Sequence, residues 1–295
     1  MKYYILLLLG VAFWSGNYVL GRFISSDIEP LQLAFYRWIT VCLILSPILI
    51  LKYKKLYLAF KNSPKILISQ SVLGITAFNT FLYYGVQTTT ATNALLINSS
   101  TPMIIVLISF LILNTSISKT QLLGIILSTI GVLFLVLKGD FVNILEFKTT
   151  RGDLWIILAC FVWALYTVLL KFKTDDLRPF EFFTLTTFIG TTILSIPFFI
   201  FSSDFSLSFI EKSEVLYSLL YIVIFPSILS FYFWNISTLK LTANVTGQFT
   251  HFMPIFGAIF AYFLLGERLE TYHLIGFSLI ILGIYISVLF KKLKS

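Results

Sequence analysis

Two ionisable side chains, Arg37 and His251, lie well inside the apolar runs of this 295-residue chain. A charge at mid-bilayer depth costs at least about 2.5–3.5 kcal/mol on insertion scales, so each requires a partner or a wet cavity. Arg37 falls six residues into its run, a depth of about 9 Å on a helix. Two roles are open to it: a functional one, anchoring a solute carboxylate or forming a gate ion pair with Glu267, and a structural one, bonding backbone carbonyls or snorkelling outward. His251 falls eight residues into its run, about 12 Å deep. An imidazole titrates near neutral pH, so His251 could bind solute or carry a coupling proton; the structural alternative is a neutral ring bonded between helices.

His251 precedes Pro254 by three residues, as Ser99 precedes Pro102. Proline removes a backbone donor and frees a carbonyl one turn back, so bends are expected at Pro102 and Pro254, exposing backbone to a cavity. Neutral polar and aromatic groups complete the expected lining: Trp14, Asn17, Tyr18, Asn79, Tyr83, Asn98, Ser99, Trp163, Tyr166, Tyr232 and Gln248. Rings with a few amides and hydroxyls suit a small neutral or zwitterionic solute. Aromatics close to a span end fit an interfacial belt equally well, which is the competing reading for Tyr83, Tyr84, Trp234 and Asn235. No Asp or Glu falls deep in a span, so a carboxylate proton relay is unsupported, leaving His251 coupling or uncoupled exit. With two His and two Cys in all, neither a metal centre nor the catalytic constellation of an intramembrane protease can be assembled, and no cofactor is expected.

The elements that must position these groups follow from composition. The chain is 58% hydrophobic and 12% charged, against roughly 25% charged in a soluble domain. That excludes a disordered chain, a disulfide-stapled secreted module and a conventional nucleic-acid binder. Cys42 and Cys160 sit in apolar runs as small buried hydrophobes. Ten spans are expected: Tyr3 to Ile24, Leu31 to Leu51, Ile66 to Val86, Ala91 to Leu113, Leu122 to Leu137, Leu154 to Phe172, Phe180 to Phe201, Val215 to Leu239, Ala243 to Leu265 and His273 to Phe290. The first reads as a retained span, since no small-x-small cleavage site follows it.

Placing both termini inside puts fourteen of the 21 Lys and Arg residues in cytoplasmic segments, including Lys52, Lys54, Lys55, Lys61 and Lys65, and six outside. Basic residues near span ends resist translocation, so the net charge of +8 reads as a topology signal: a multi-pass protein of the inner (cytoplasmic) membrane with cytoplasmic termini. The lipid bilayer and a small solute are the expected partners, with no nucleic acid.

The chain also repeats itself. A shift of 149 places Trp163 on Trp14, Lys171 on Arg22 and Pro179 on Pro30; a shift of 152 places Ala243 on Ala91, Pro254 on Pro102, Gly276 on Gly124 and Gly283 on Gly131. Five spans per copy is an odd number, so residues 1–145 and 146–295 are expected to cross the membrane in opposite orientations, the arrangement of alternating-access transporters.

The stretch Gly257 to Leu269, followed by Gly276 and Gly283, resembles the end of the repeat that defines the EamA family of the drug/metabolite transporter superfamily. Gly10 to Arg22 resembles its opening motif, and Phe35 to Trp38 its second-helix motif around Arg37. Its strongest motif, Gly266 to Leu269, is lost from the first copy at Asn114 to Ile117. The resemblance implies an all-α integral membrane protein of ten transmembrane helices in two inverted five-helix repeats around a central cavity, the fifth and tenth helices being peripheral and open to a homodimer contact. It implies secondary transport of small metabolites, often amino acid export, and no enzyme activity. Asn17 replaces the first-helix carboxylate that small multidrug exporters use, and two cavity cations are too few for phosphate-ester exchange. A passive channel and, less well supported, an intramembrane enzyme are the alternatives.

Overall fold

In hydrocarbon every backbone N–H and C=O must be satisfied within the protein, which restricts a chain of this composition to helices or a closed barrel. The computed structural model describes residues 1–89, 91–142, 150–202, 204–265 and 270–289, and these contain helices and no strand. Glu267, with the rest of the Gly266 to Leu269 motif, and the expected boundary between the halves at 145 and 146 lie outside the described residues.

The helices follow the hydropathy runs: α1 (Lys2–Phe23), α2 (Pro30–Leu51), α3 (Pro64–Thr88), α4 in two pieces (Ala91–Asn98 and Thr101–Leu113), and α5 (Lys119–Val136). The second half supplies α6 (Arg151–Phe172), α7 (Pro179–Phe201), α8 (Ser213–Leu241), α9 in two pieces (Ala243–Gln248 and Met253–Leu265) and α10 (Thr271–Val288). Eight of these, among the described residues, are long and apolar enough to cross a membrane unbroken. The other two, α4 and α9, are interrupted: α4 between Asn98 and Thr101, just before Pro102, and α9 by the 3-10 turn Phe249–Phe252, just before Pro254. Proline at the first position of α2, α3 and α7 supplies a preformed φ where the missing N–H is no loss. Ser118 with Gln121, and Thr150 with Asp153, form capping boxes that start α5 and α6.

Two features go beyond the sequence reading. A helix at Tyr53–Asn62 lies between α2 and α3, burying Leu56 and Ala59 while its lysines stay exposed. Both α3 and α8 also widen to π geometry in mid-span, at Val72–Ala77 and Val223–Leu229, equivalent places in the two halves. Pro226 accounts for the second, because it has no N–H to give the helical ladder.

The fifth and tenth helices, expected at the periphery, pack face to face within one chain. A methyl group built on Gly131 would sit 2.9 Å from the Gly276 carbonyl oxygen, and one on Gly283 would sit 2.6 Å from the Gly124 carbonyl oxygen. Lipid tails are as apolar as leucine, so helices in a bilayer associate through such small-residue faces. The glycine faces are thus occupied internally, while Leu123, Ile126, Leu274, Ile281 and Leu282 face outward. Gly131→Ala is expected to destabilise the protein by about 1–3 kcal/mol through overpacking. Gly257→Ala, where an added methyl meets nothing within 4 Å, should be neutral. Thermal unfolding of both variants in detergent checks this.

Candidate functional site

Arg37 is 1% exposed and sits where helices of both halves meet. Its Nε donates to Ser227 Oγ of α8 at 2.6 Å, and its Nη1 donates to Asn79 Oδ1 and to the Tyr83 hydroxyl of α3, each at 2.8 Å. The guanidinium also lies 5.0 Å from the centroid of the Trp38 ring. These acceptors are held in place by the π segments. Asn79 Nδ2 donates to the carbonyls of Gly74 and Ile75, and the Ser227 hydroxyl to that of Ile222, so the oxygens left over face Arg37. Arg37 therefore has neutral partners on every side among the described residues.

Tyr83 in turn donates to Asn17 Oδ1 of α1 at 3.2 Å. In the second half Tyr166 of α6 donates to Asn235 Oδ1 of α8 at 2.8 Å. In the repeat, Tyr166 occupies the place of Asn17 and Asn235 that of Tyr83. The two halves thus make the same contact with tyrosine and asparagine exchanged.

Below this layer the rings of Trp14, Trp163, Trp234 and Phe231 pack as one cluster, with Trp14 and Trp163 edge-to-face at 5.0 Å and Trp163 and Trp234 at 5.4 Å. Trp14 Nε1 donates to the Pro226 carbonyl in the π segment of α8, and Trp234 Nε1 to Thr167 Oγ1. The Tyr166 ring, stacked on Trp163, lies against bare backbone at Gly74. Between cluster and Arg37 remains a cavity of about 20 Å³, room for one water, bounded by Trp14, Asn17, Tyr18, Arg37, Asn98 and Trp163 with Phe78, Leu82, Thr250 and Met253.

Of the expected lining, Asn79, Tyr83 and Tyr166 stand immediately behind this cavity as the supports just described. His251 does not line it. Its Nε2 lies 3.0 Å from the Ser99 carbonyl and its Nδ1 2.8 Å from Ser128 Oγ of α5. A carbonyl only accepts, so Nε2 carries the hydrogen, and in the neutral ring Nδ1 takes the Ser128 hydroxyl. The residue is a buried tie between the break in α4, the turn in α9, and α5. Gln248 is buried one turn away on α9, its Nε2 donating to the Asn244 carbonyl. Tyr232 packs edge-to-face on Phe180, outside the central cluster. The belt reading fails for Tyr83, Trp234 and Asn235, all buried in the centre. Sequence reasoning missed Ser227, Phe231 and Asp153. Asp153 is a buried carboxylate in the first turn of α6 that accepts from Thr89, Asn93 and the Thr150 N–H; the Thr150-x-x-Asp153 capping spacing was its signal.

The two ends of the bundle differ. At the end holding the N-terminus, where Ser237 of α8 donates to the Tyr3 carbonyl, a vestibule of about 520 Å³ opens between the ends of α4, α6 and α8 and the start of α9. Lys171, Lys240, Ser109, Thr238 and Asn244 line it. At the other end Arg22 Nη1 donates to the carbonyls of Val86 and Gln87, clamping α1 to the end of α3, and Arg22 and Gln87 with Ser25, Ser26 and Thr88 border a shallower surface hollow of likewise about 520 Å³. Arg37→Gln is expected to destabilise the fold by about 1–3 kcal/mol, the cost of the acceptor stranded at Asn79, and Tyr83→Phe by about 1 kcal/mol. Melting temperatures in detergent test this, and an unchanged value for Arg37→Gln would remove Arg37 as the central tie.

The EamA-like transporter family matches residues 1–137 and 150–289. The chain is 30% identical over 293 residues to the uncharacterized transporter YetK of Bacillus subtilis, covering 99% of this chain and 88% of that one. It is 31% identical over 299 residues to an uncharacterized transporter of Archaeoglobus fulgidus, covering 97% of each. A crystal structure matched over 100% of this chain and 99% of its own has a TM-score of 0.79 at 16% identity, a likeness of fold. Matched in both halves and nearly the full length of relatives named as transporters, this multi-pass membrane chain belongs to the EamA-like transporter family.

Proposed function

We propose that the chain is a secondary-active carrier of the cell membrane that exports small neutral, zwitterionic or aromatic metabolites, amino acids among them, by alternating access, with both termini cytoplasmic. The carrying observation is a contact made at one end of the bundle and absent at the other. Arg22 clamps the carbonyls of Val86 and Gln87. Its repeat equivalent is Lys171, and the equivalents of Val86 and Gln87 are Thr238 and Leu239. The Lys171 side chain makes no hydrogen bond among the described residues, and all three border the vestibule. Two inverted copies of one unit, one latched and one open, are the asymmetry that alternating access requires. The opposite state would exchange them, with Lys171 latched on the end of α8 and Arg22 released.

The aromatic cluster separates the vestibule from the central cavity, so passage requires its rings to part. Proton coupling through a buried imidazole would fall to His251, but the two bonds of that ring support a structural role. A homodimer through α5 and α10 would use their outward apolar faces, because the glycine faces meet each other. The basic helix Tyr53–Asn62 supports the orientation, since lysines near span ends favour the cytoplasmic side.

In proteoliposomes, preloaded unlabelled solute should accelerate uptake of the labelled solute; failure for every metabolite tested would favour a passive facilitator. His251→Gln should keep the wild-type pH profile of that uptake, whereas a flattened profile would restore the proton to the mechanism. A cysteine at Lys61 should react with an impermeant maleimide in inside-out vesicles and not in intact cells, and the reverse pattern would invert the topology.

A further inference from the structure

The vestibule carries polar groups that the fold leaves unused. Ser109, Thr238 and Asn244 line the vestibule, and their Oγ, Oγ1 and Oδ1 atoms, buried just beneath its wall, have no hydrogen-bond partner among the described residues. Buried polar atoms are nearly always paired, so these three on the vestibule wall are groups that a bound solute can satisfy. The two hydroxyls can donate to an anionic oxygen, and the carboxamide oxygen of Asn244 can accept only from a donor such as an ammonium. Charges of both signs stand at the rim. Lys171 and Lys240 are exposed and their side chains make no hydrogen bond among the described residues, Asp175 also lines the rim, and Lys173 is occupied with the Thr174 and Leu177 carbonyls.

The unpaired groups continue inward. Asn235 lies one turn from Thr238 on α8, and Gln248 one turn from Asn244 on α9; Asn235 Nδ2 and Gln248 Oε1 are likewise buried without partners. Asn235 Oδ1 meanwhile receives the Tyr166 hydroxyl, which belongs to the aromatic centre. Along α8 a polar ladder thus leads from the vestibule to the rings. At the opposite end the cation is already committed to backbone carbonyls.

We propose that the vestibule is a second binding site, separate from the aromatic centre, that loads a small zwitterion: its carboxylate on Lys171 and Lys240 and its ammonium on Asp175, with the side chains of Ser109, Thr238 and Asn244 turning from the wall to complete the two ends. This rests on the transport reading and adds to it a second site, with the groups that would hold each end of a zwitterion. The volume of about 520 Å³ is in the range of small-molecule sites.

The test uses the full chain in lipid nanodiscs and, as probes, the common free L-amino acids with their methyl esters and N-acetyl forms, followed by calorimetry. At least one free amino acid should bind, and its ester and N-acetyl form should bind at least about tenfold more weakly, the loss of a charge-assisted contact. The double variant Lys171→Gln, Lys240→Gln, altered only at exposed side chains, should weaken binding by a similar factor. Thr238→Val should weaken it too while leaving the melting temperature of the free protein unchanged or raised, since it removes a buried hydroxyl that has no partner. Binding that ignores these variants overturns the proposal, as does the absence of binding by every probe. Counterflow of an uncharged solute, indifferent to the same variants, would overturn the site while leaving the transport reading intact; counterflow of nothing at all would fail that reading separately.

Discussion

Arg37 places a full positive charge among helices of both halves of the chain, with neutral oxygens and ring faces around it. Burying such a charge is expensive, and the arrangement is sustained by orienting every nearby dipole toward it. Asn79 can present its carbonyl oxygen because its amide group is taken up by the carbonyls of Gly74 and Ile75. Ser227 can accept because its proton is given to Ile222. Both arrangements depend on the π segments, which leave carbonyls without ladder partners in mid-span. Widening of α3 and α8, placement of the guanidinium and the seating of Tyr83 on Asn17 are thus one interaction network.

Around this tie the halves are related by exchange rather than identity. Asn17 with Tyr83 and Tyr166 with Asn235 make one contact with donor and acceptor helices swapped. A hydrogen bond needs one donor and one acceptor and is indifferent to which helix supplies which, so the repeat can drift in sequence while keeping its geometry. Where drift is not neutral, the contacts of the two copies differ. Arg22 and Lys171 share a repeat position, and one clamps carbonyls while the other borders an open vestibule.

Packing divides by depth. On the outside, α5 and α10 meet backbone to backbone through glycines, which suits a solvent that provides no hydrophobic drive for helix association. In the centre the indoles of three tryptophans and the ring of Phe231 fill the space, leaving room for about one water. Rings of this kind close a passage densely while presenting few polar groups, and tryptophan edges find partners at Pro226 and Thr167.

The sequence by itself determined the order of the spanning helices, the breaks before Pro102 and Pro254, and the burial of Trp14, Asn17, Trp163 and Arg37 among them, because hydropathy runs, prolines and stranded polar groups are local signals that a bilayer leaves few ways to satisfy. The family was legible for the same reason, since its motifs recur at fixed places along the chain. Only the tertiary structure decided what each polar group meets. It assigned Trp234 and Asn235 to the centre rather than to a belt, and set Tyr232 against Phe180. It turned His251 toward Ser128 and Ser99, and it found Ser227 and Asp153 as partners. Helical phase near a span end, and contacts between residues more than a hundred positions apart, are set by how helices pack, and no local pattern carries them. The asymmetry between the latched and open ends belongs to the same class: two copies of one motif read alike, and only their packing tells which is closed.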